Sequence, residues 1–357
     1  LFEQHEGITH TLASSGTIDG PPLPEITYTT LPTPVAYTAL VPKGRVWAGQ
    51  LMCAVFAGDD TLISDLTTGY GALAVNALDP PIVQEVEGSV AFLATRWSDI
   101  SYFHWMFDVV PRLGVLLQSG ITWNDISHFA FNRCRESFHV ATTTALGIPD
   151  DKLMQCRAMP WSGSLFPLNR RFPHFRADQL LVPSIPELRC YRSAPWAYQF
   201  LRDLFLTENL AIAPTGAQKQ CQGNKLYLHR RGAKYRQVVN GEALADLLDK
   251  RDFEAFDPGQ FTVQEQAKTF AAADVVVAVH GAALTNLVFC KPGTIVVEIF
   301  GPNHVQNTYW IISSIAGLKH YHLAATAVPS LEKTRGVKED LSIDLPQLER
   351  LLDSLNL

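Results

Sequence analysis

The stretch Ala273-Asp274-Val275-Val276-Val277-Ala278-Val279-His280-Gly281-Ala282-Ala283-Leu284-Thr285-Asn286 decides the fold. Val275 to Val279 form an unbroken run of β-branched and small apolar residues. That is the pattern of a strand buried on both faces of a parallel sheet. His280 stands at the carboxyl end of this strand, and Ala282 onward reads as the first turn of a helix. Open parallel sheets bind ligands outside the carboxyl ends of their strands. A helix start adds unpaired N–H groups and a partial positive charge, suited to phosphate. A second strand follows at 294–299, with Glu298 near its carboxyl end. One βαβ unit would thus bring an imidazole, a helix start and a carboxylate to one rim and point to a nucleotide or phosphate-bearing ligand. Alone, the motif also fits a buried strand whose histidine only satisfies a hydrogen bond at the sheet edge.

Working outward, the last third alternates strand and helix, which means parallel βαβ units. Strands are expected at 225–228 and 253–256, and helices at 241–250 and 263–272. A terminal amphipathic helix covers 345–355, with Pro346 tolerated in its first turn. The middle is also α/β: strand-like at 126–131 and 179–182, helix-like at 98–117, 136–146 and 197–210. Residues 1–40 read as loop. Alternation around Asp59-Asp60 within 45–65 reads as a short hairpin, and 88–93 as a strand. The expected organisation is an N-terminal α/β domain over 1–190 with a small β-rich N-terminal segment, and a linker region at 191–224. A nucleotide-binding domain over 225–340 and the C-terminal helix at 341–357 complete it.

The length of 357 residues favours two domains, and 47% hydrophobic against 18% charged residues allows substantial cores. The net charge of −6 argues against a general nucleic-acid binder. Cys53, Cys134, Cys156, Cys190, Cys221 and Cys290 contain no C-x-x-C pair and match no zinc spacing, so they read as reduced thiols. No apolar run of about 18 residues is present, so no membrane span is expected. No signal peptide is evident. The first residue is Leu1 rather than Met, so an upstream anchor or targeting segment would be compatible with the sequence.

Two further constellations carry chemistry. In Tyr102-Phe103-His104-Trp105-Met106-Phe107-Asp108-Val109-Val110-Pro111-Arg112, helical spacing puts His104, Asp108 and Arg112 on one stripe. Polar groups in such apolar surroundings must be partnered or face a cavity, and a carboxylate there suits a general base. An internal His–Asp pair that fixes helix packing, or a metal pair, remains open, and Pro111 puts the third member in doubt. In Tyr227-Leu228-His229-Arg230-Arg231-Gly232-Ala233-Lys234-Tyr235-Arg236, a strand ends in guanidinium groups able to fork onto phosphate oxygens. A solvated basic loop is the plainer alternative. Together the three constellations suggest a cleft between two α/β domains, donor phosphate on one wall and a base on the other.

These residues also carry a resemblance. Tyr102-Phe103-His104-Trp105, Asp108, Pro111-Arg112, Leu180-Leu181-Val182-Pro183, Tyr227, Arg230, Arg236 and Asn240-x-Glu242 resemble glycosyltransferase family 61 in order and type. So do Gln266, Ala273-Asp274, His280-Gly281-Ala282-x-Leu284-Thr285-Asn286, Pro292-Gly293 and Val297-Glu298-Ile299. The resemblance covers roughly 85–300. It departs at Ser101, His229, Gly241 and Ala283, of which Ala283 adds a methyl at the phosphate approach.

The resemblance implies a GT-B-type architecture, two Rossmann-like domains facing a cleft, and an inverting transfer from a nucleotide sugar. A UDP-sugar is the first expectation, the acceptor being a glycan or protein hydroxyl. No cofactor or obligatory metal is expected. Carried over by position, Arg230, Arg236, His280, Gly281 and Ala282 meet the diphosphate. Asn286 and Glu298 contribute to the nucleoside or sugar pocket. His104 and Asp108 face the acceptor as catalytic residues, with Arg112 on the acceptor side. A bacterial chain would be cytoplasmic or membrane-peripheral, and a eukaryotic one with an anchor would lie in the ER or Golgi lumen. A non-catalytic nucleotide-sugar or glycan binding module, or a hydrolase using His104 and Asp108 on a metal, are the competing expectations.

Overall fold

In the computed structural model, Val275–Val279 is the middle strand of a five-stranded sheet, and all of its residues are buried. Burying each valine contributes roughly 1.5–3 kcal/mol. The structure describes residues 2–18, 23–26, 30–49, 52–77, 82–132, 134–156, 174–185, 194–207, 224–230, 235–328 and 336–357. Arg231 to Lys234 of the basic loop, 208–223 of the expected linker, Cys190 and Cys221 lie outside them, as does the side chain of Cys156. The chain is a mixed α/β protein and divides into two compact units. One is built mainly from Leu1–Ile8 and Pro32–Leu204, the other from Thr9–Leu31 and Ala213–Leu357.

In the second unit the strands run Glu254–Phe256, Lys225–Leu228, Val275–Val279, Ile295–Phe300, Lys319–Ala324, all parallel. Numbered along the chain this is the order 2-1-3-4-5. The direction of winding therefore reverses between Lys225–Leu228 and Val275–Val279, the topological switch point where ligands of such sheets bind. Leu244 and Leu248 of the helix Gly241–Asp249 pack with Leu348, Leu351 and Leu352 of Leu345–Ser354 against Val275, Val277 and Val279. The helix Val263–Ala272 opens on a capping box between Thr262 and Glu265. The segment after His280 is helical from Ala282 to Phe289, but as a 3-10 rather than an α-helix.

Residues 9–18 are more than loop. Gly16 bridges Tyr321 in parallel, taking a hydrogen bond from the His322 N–H (2.9 Å) and donating to the His320 carbonyl (2.8 Å). The segment therefore lines the edge of Lys319–Ala324. Trp310 and Ile311 hold Leu12, Ile26 and Leu31 in a small core of their own.

The first unit contains a nine-stranded mixed sheet. Gln84–Phe92 lies parallel to His174–Pro183 on one side and to His128–Asn132 on the other. Its antiparallel half holds Ala36–Pro42, Arg45–Ala48 and Met52–Phe56, with Phe2–His5 outermost. Phe2–His5 falls inside the stretch 1–40 read as loop, and Ala36–Pro42 begins in it. Arg45–Ala48 and Met52–Phe56 make the hairpin pairing, whereas Asp59-Asp60 form a second turn closed by a single Phe56–Leu62 bridge, Asp60 being left-handed at φ 67°.

Candidate active site

In the first unit the chain enters a helix at Tyr102–His104, with the Ser101 hydroxyl capping the His104 N–H. A π turn follows over Trp105–Val109, and an α-helix resumes at Val110–Gln118. Pro111 explains the turn. It has no N–H, and its ring would clash with the carbonyl one α-turn back. The wider π turn relieves that contact and leaves Pro111 in the first turn of the new helix. Single π turns of this kind are common at functional sites. Trp105 donates to the Thr142 hydroxyl (2.7 Å) and pins the turn to the helix Ser137–Ala145.

His104 Nδ1 lies 2.7 Å from Asp108 Oδ2. Asp108 is only 5% exposed, and its Oδ1 is buried without a hydrogen-bond partner. Such an orphaned oxygen costs about 1–3 kcal/mol, a burden that a substrate hydroxyl would remove. Arg112 is placed differently. Its Nε, Nη1 and Nη2 donate at 2.9 Å to the carbonyls of Pro183, Leu93 and Phe92. At 1% exposure it ties together the ends of two strands and offers no surface to an acceptor.

In the second unit the structure brings Arg230, Arg236, His280 and Gly281 together at the switch point. Arg230 follows the strand Lys225–Leu228, and its guanidinium lies against Gly281, where a Cβ would strike Nη1. The Nε atoms of Arg230 and Arg236 are both buried without a partner. Burial and the neighbouring charge of Arg236 pull the Arg230 pKa down to about 10, and burial lowers Arg236 as well. No carboxylate among the described residues pairs with either. The site therefore holds two desolvated cations and the open N–H groups of a helix start, an arrangement that calls for an anion.

Sequence reasoning missed His304 and Tyr309. Both pack on the His280 ring, with centroids at 5.3 and 5.0 Å. His304 follows the strand Ile295–Phe300, so the strand-end rule that singled out His280 also applies to it. Burial and Arg236 draw its pKa to about 4. Asn286 and Glu298 stand behind the site and do not line it. Asn286 is fully buried and donates to Gln266 Oε1 at 2.8 Å, securing the 3-10 helix. Glu298 is 0% exposed and bonds His280 Nδ1 (2.5 Å) and His320 Nε2 (2.9 Å). Ala282, by contrast, is exposed.

A cavity of about 660 Å³ opens beside Arg230, lined also by Tyr227, His229, Gln237, Asn240 and Glu242. Glu242 lies in the first turn of Gly241–Asp249. Among the described residues, no three His, Cys, Asp or Glu side chains converge as metal ligands.

The family model described as Glycosyltransferase 61 matches residues 102–297, more than half of the chain. The chain belongs to the glycosyltransferase 61 family. Membership makes it a glycosyltransferase, with a nucleotide-sugar donor and a glycan acceptor. The matched span opens on the Tyr102 helix and includes Arg230, Arg236 and the His280 turn. No curated protein gives a match to the chain. Among the described residues of this glycosyltransferase, no helix is long and apolar enough to cross a membrane. Cys53, Cys134 and Cys290 are buried and form no disulfide, and burial pushes the Cys53 thiol up to about 11 and Cys134 to about 12, which keeps these two protonated.

Proposed function

We propose that this glycosyltransferase is a GT-B-type enzyme that inverts the anomeric centre of a UDP-sugar as it transfers the sugar to a glycan or protein hydroxyl. The second unit takes the donor and the first supplies the base. The reading rests on one observation above others: two half-buried arginines whose Nε atoms are buried and orphaned, beside a helix start, at the switch point of a parallel sheet. Arg230 and Arg236 take the diphosphate, with His280 and the N–H groups from Gly281 onward. The nucleoside enters the cavity beside Arg230, where the Glu242 carboxylate accepts from ribose hydroxyls. Asp108, held by His104, removes the acceptor proton through its free Oδ1 as the hydroxyl attacks the anomeric carbon. The bond from that carbon to the UDP oxygen breaks, and the departing diphosphate carries the electron pair into the cationic site. Fixed charges aimed at a leaving group are often the largest element of catalysis, and here they do the work for which a metal would otherwise be needed.

Calorimetric titration of UDP, GDP and CMP into the intact protein and Arg230→Met tests the donor site. UDP is expected to bind tightest, and Arg230→Met to weaken it at least about tenfold, the loss of one charge-assisted hydrogen bond. Equal affinity in the two proteins would sink the assignment.

A further inference from the structure

Five side chains of the second unit form one continuous hydrogen-bonded chain behind the donor site. Ser15 Oγ lies 2.8 Å from both His320 Nδ1 and His322 Nδ1. His320 Nε2 reaches Glu298 Oε2 at 2.9 Å, and Glu298 Oε1 reaches His280 Nδ1 at 2.5 Å. His280 Nε2 is left as the ring nitrogen that can meet a ligand.

The direction of each bond follows from the partners. His322 Nε2 is buried with no partner, so its single N–H belongs on Nδ1, where the Ser15 oxygen accepts it. The Ser15 hydroxyl then turns to His320 Nδ1, which must be bare. The His320 proton is therefore on Nε2 and donates to Glu298 Oε2. Glu298 is wholly buried between these two rings and meets no Arg or Lys among the described residues. A lone carboxylate in that place costs several kcal/mol, which protonation avoids. The acid proton then resides on Oε1 and donates to His280 Nδ1. Burial acts the same way throughout, pushing Glu298 up and His280, His320 and His322 down.

We infer that Glu298 and His320, anchored by Ser15, are positioning residues that hold His280 as a neutral Nε2–H donor aimed at the donor diphosphate. Every bond in the chain points toward the site, so the imidazole enters as a fixed donor. It needs neither a charge nor a rotation when the phosphates arrive. The chain also gives the segment 9–18 a role at the donor site, through Ser15. The phosphate contact rests on the donor-site reading above, whereas the tautomer stands apart from it.

The test uses the full chain labelled with 15N at histidine. Long-range 1H–15N spectra at neutral pH are expected to show His280 protonated at Nε2, in the presence or absence of UDP. Glu298→Gln should preserve that tautomer, because its amide donates to His280 Nδ1 and accepts from His320 as the protonated acid does. Glu298→Leu should lose the fixed tautomer and weaken UDP binding about tenfold, with Glu298→Gln restoring most of the affinity. An Nδ1–H tautomer in the wild type, or one unchanged in a folded Glu298→Leu protein, would overturn the inference. Should Glu298→Leu fail to fold, the wild-type and Glu298→Gln spectra decide alone. Failure of wild-type protein to bind UDP would remove the donor reading but not the tautomer.

Discussion

Arg112 is buried and Arg230 half-buried, and the two guanidinium groups are placed for opposite ends. Arg112 has a carbonyl for each of its three nitrogens. Arg230 keeps a buried Nε with none. The first is therefore expected to matter for stability and the second for binding. Arg112→Met would orphan three buried carbonyls at about 1–3 kcal/mol each, so a loss of at least about 3 kcal/mol is expected in urea unfolding. Arg112→Lys should recover only part, since one ammonium cannot meet three acceptors in the geometry of the planar fork. Asp108→Asn makes the complementary case. It keeps the shape and a hydrogen bond to His104 but cannot take a proton. Transfer to an acceptor should fall about 10²- to 10⁴-fold with the melting temperature little changed. Wild-type rates would remove Asp108 from the mechanism. In the sequence His104, Asp108 and Arg112 look alike, one stripe on one helix. The π turn at Trp105–Val109 breaks that period before Arg112. Nothing in the residue types announces it beyond Pro111.

At the scale of elements, what could be read was set by burial. Val275–Val279, Val263–Ala272 and the strand at Lys225–Leu228 were legible because unbroken apolar runs or a capping box mark them. Lys319–Ala324 was not, since Lys319-His320-Tyr321-His322 looks polar and the strand lies at the sheet edge. His320, which holds Glu298 against His280, was lost with it, although His320 and His322 at alternate positions share one face of a strand. Phe2–His5 hid in the same way, as a short polar strand at the outside of its sheet, whereas Ala36–Pro42 is paired on both sides and was masked by the Thr and Pro around it. The turn from strand to 3-10 helix at Gly281 yields a sharper test. Its backbone is extended at φ 173°, so alanine brings no torsional strain. A Cβ there would nonetheless strike Arg230 Nη1. Gly281→Ala is expected to leave the melting temperature within a few degrees and weaken UDP binding about tenfold by displacing the guanidinium. Unchanged affinity would show that the arginine does not hold phosphate in that pose.

At the scale of the whole molecule, acid should reveal the cluster of buried histidines behind the donor site. In the second unit, His10, His280, His304, His320 and His322 all lie below their ordinary range through burial, with His304 and His322 near 4 and His320 near 3. In the first unit His5 is displaced in this way as well. A histidine depressed in the folded state binds its proton only on unfolding. Its stabilising contribution is complete above pH ~6.5 and is lost as pH falls toward its folded pKa, at up to about 1.4 kcal/mol per pH unit per group. Glu298 acts with the opposite sign: raised by burial, it holds a proton in the folded state that the unfolded chain releases above pH ~4.5. One such group cannot offset several histidines, so stability should fall steadily from pH 6.5 to 4.5. Hydrogen exchange read strand by strand should show Val275–Val279 and Lys319–Ala324 losing protection over that range. Protection retained in both strands at pH 4.5 would remove the cluster as the acid-sensitive part of the fold. His320→Gln isolates the part of this cluster, because it removes one depressed group while its amide can still donate to Glu298. A shallower pH slope in that variant is the outcome expected if the histidine cluster sets the acid limit.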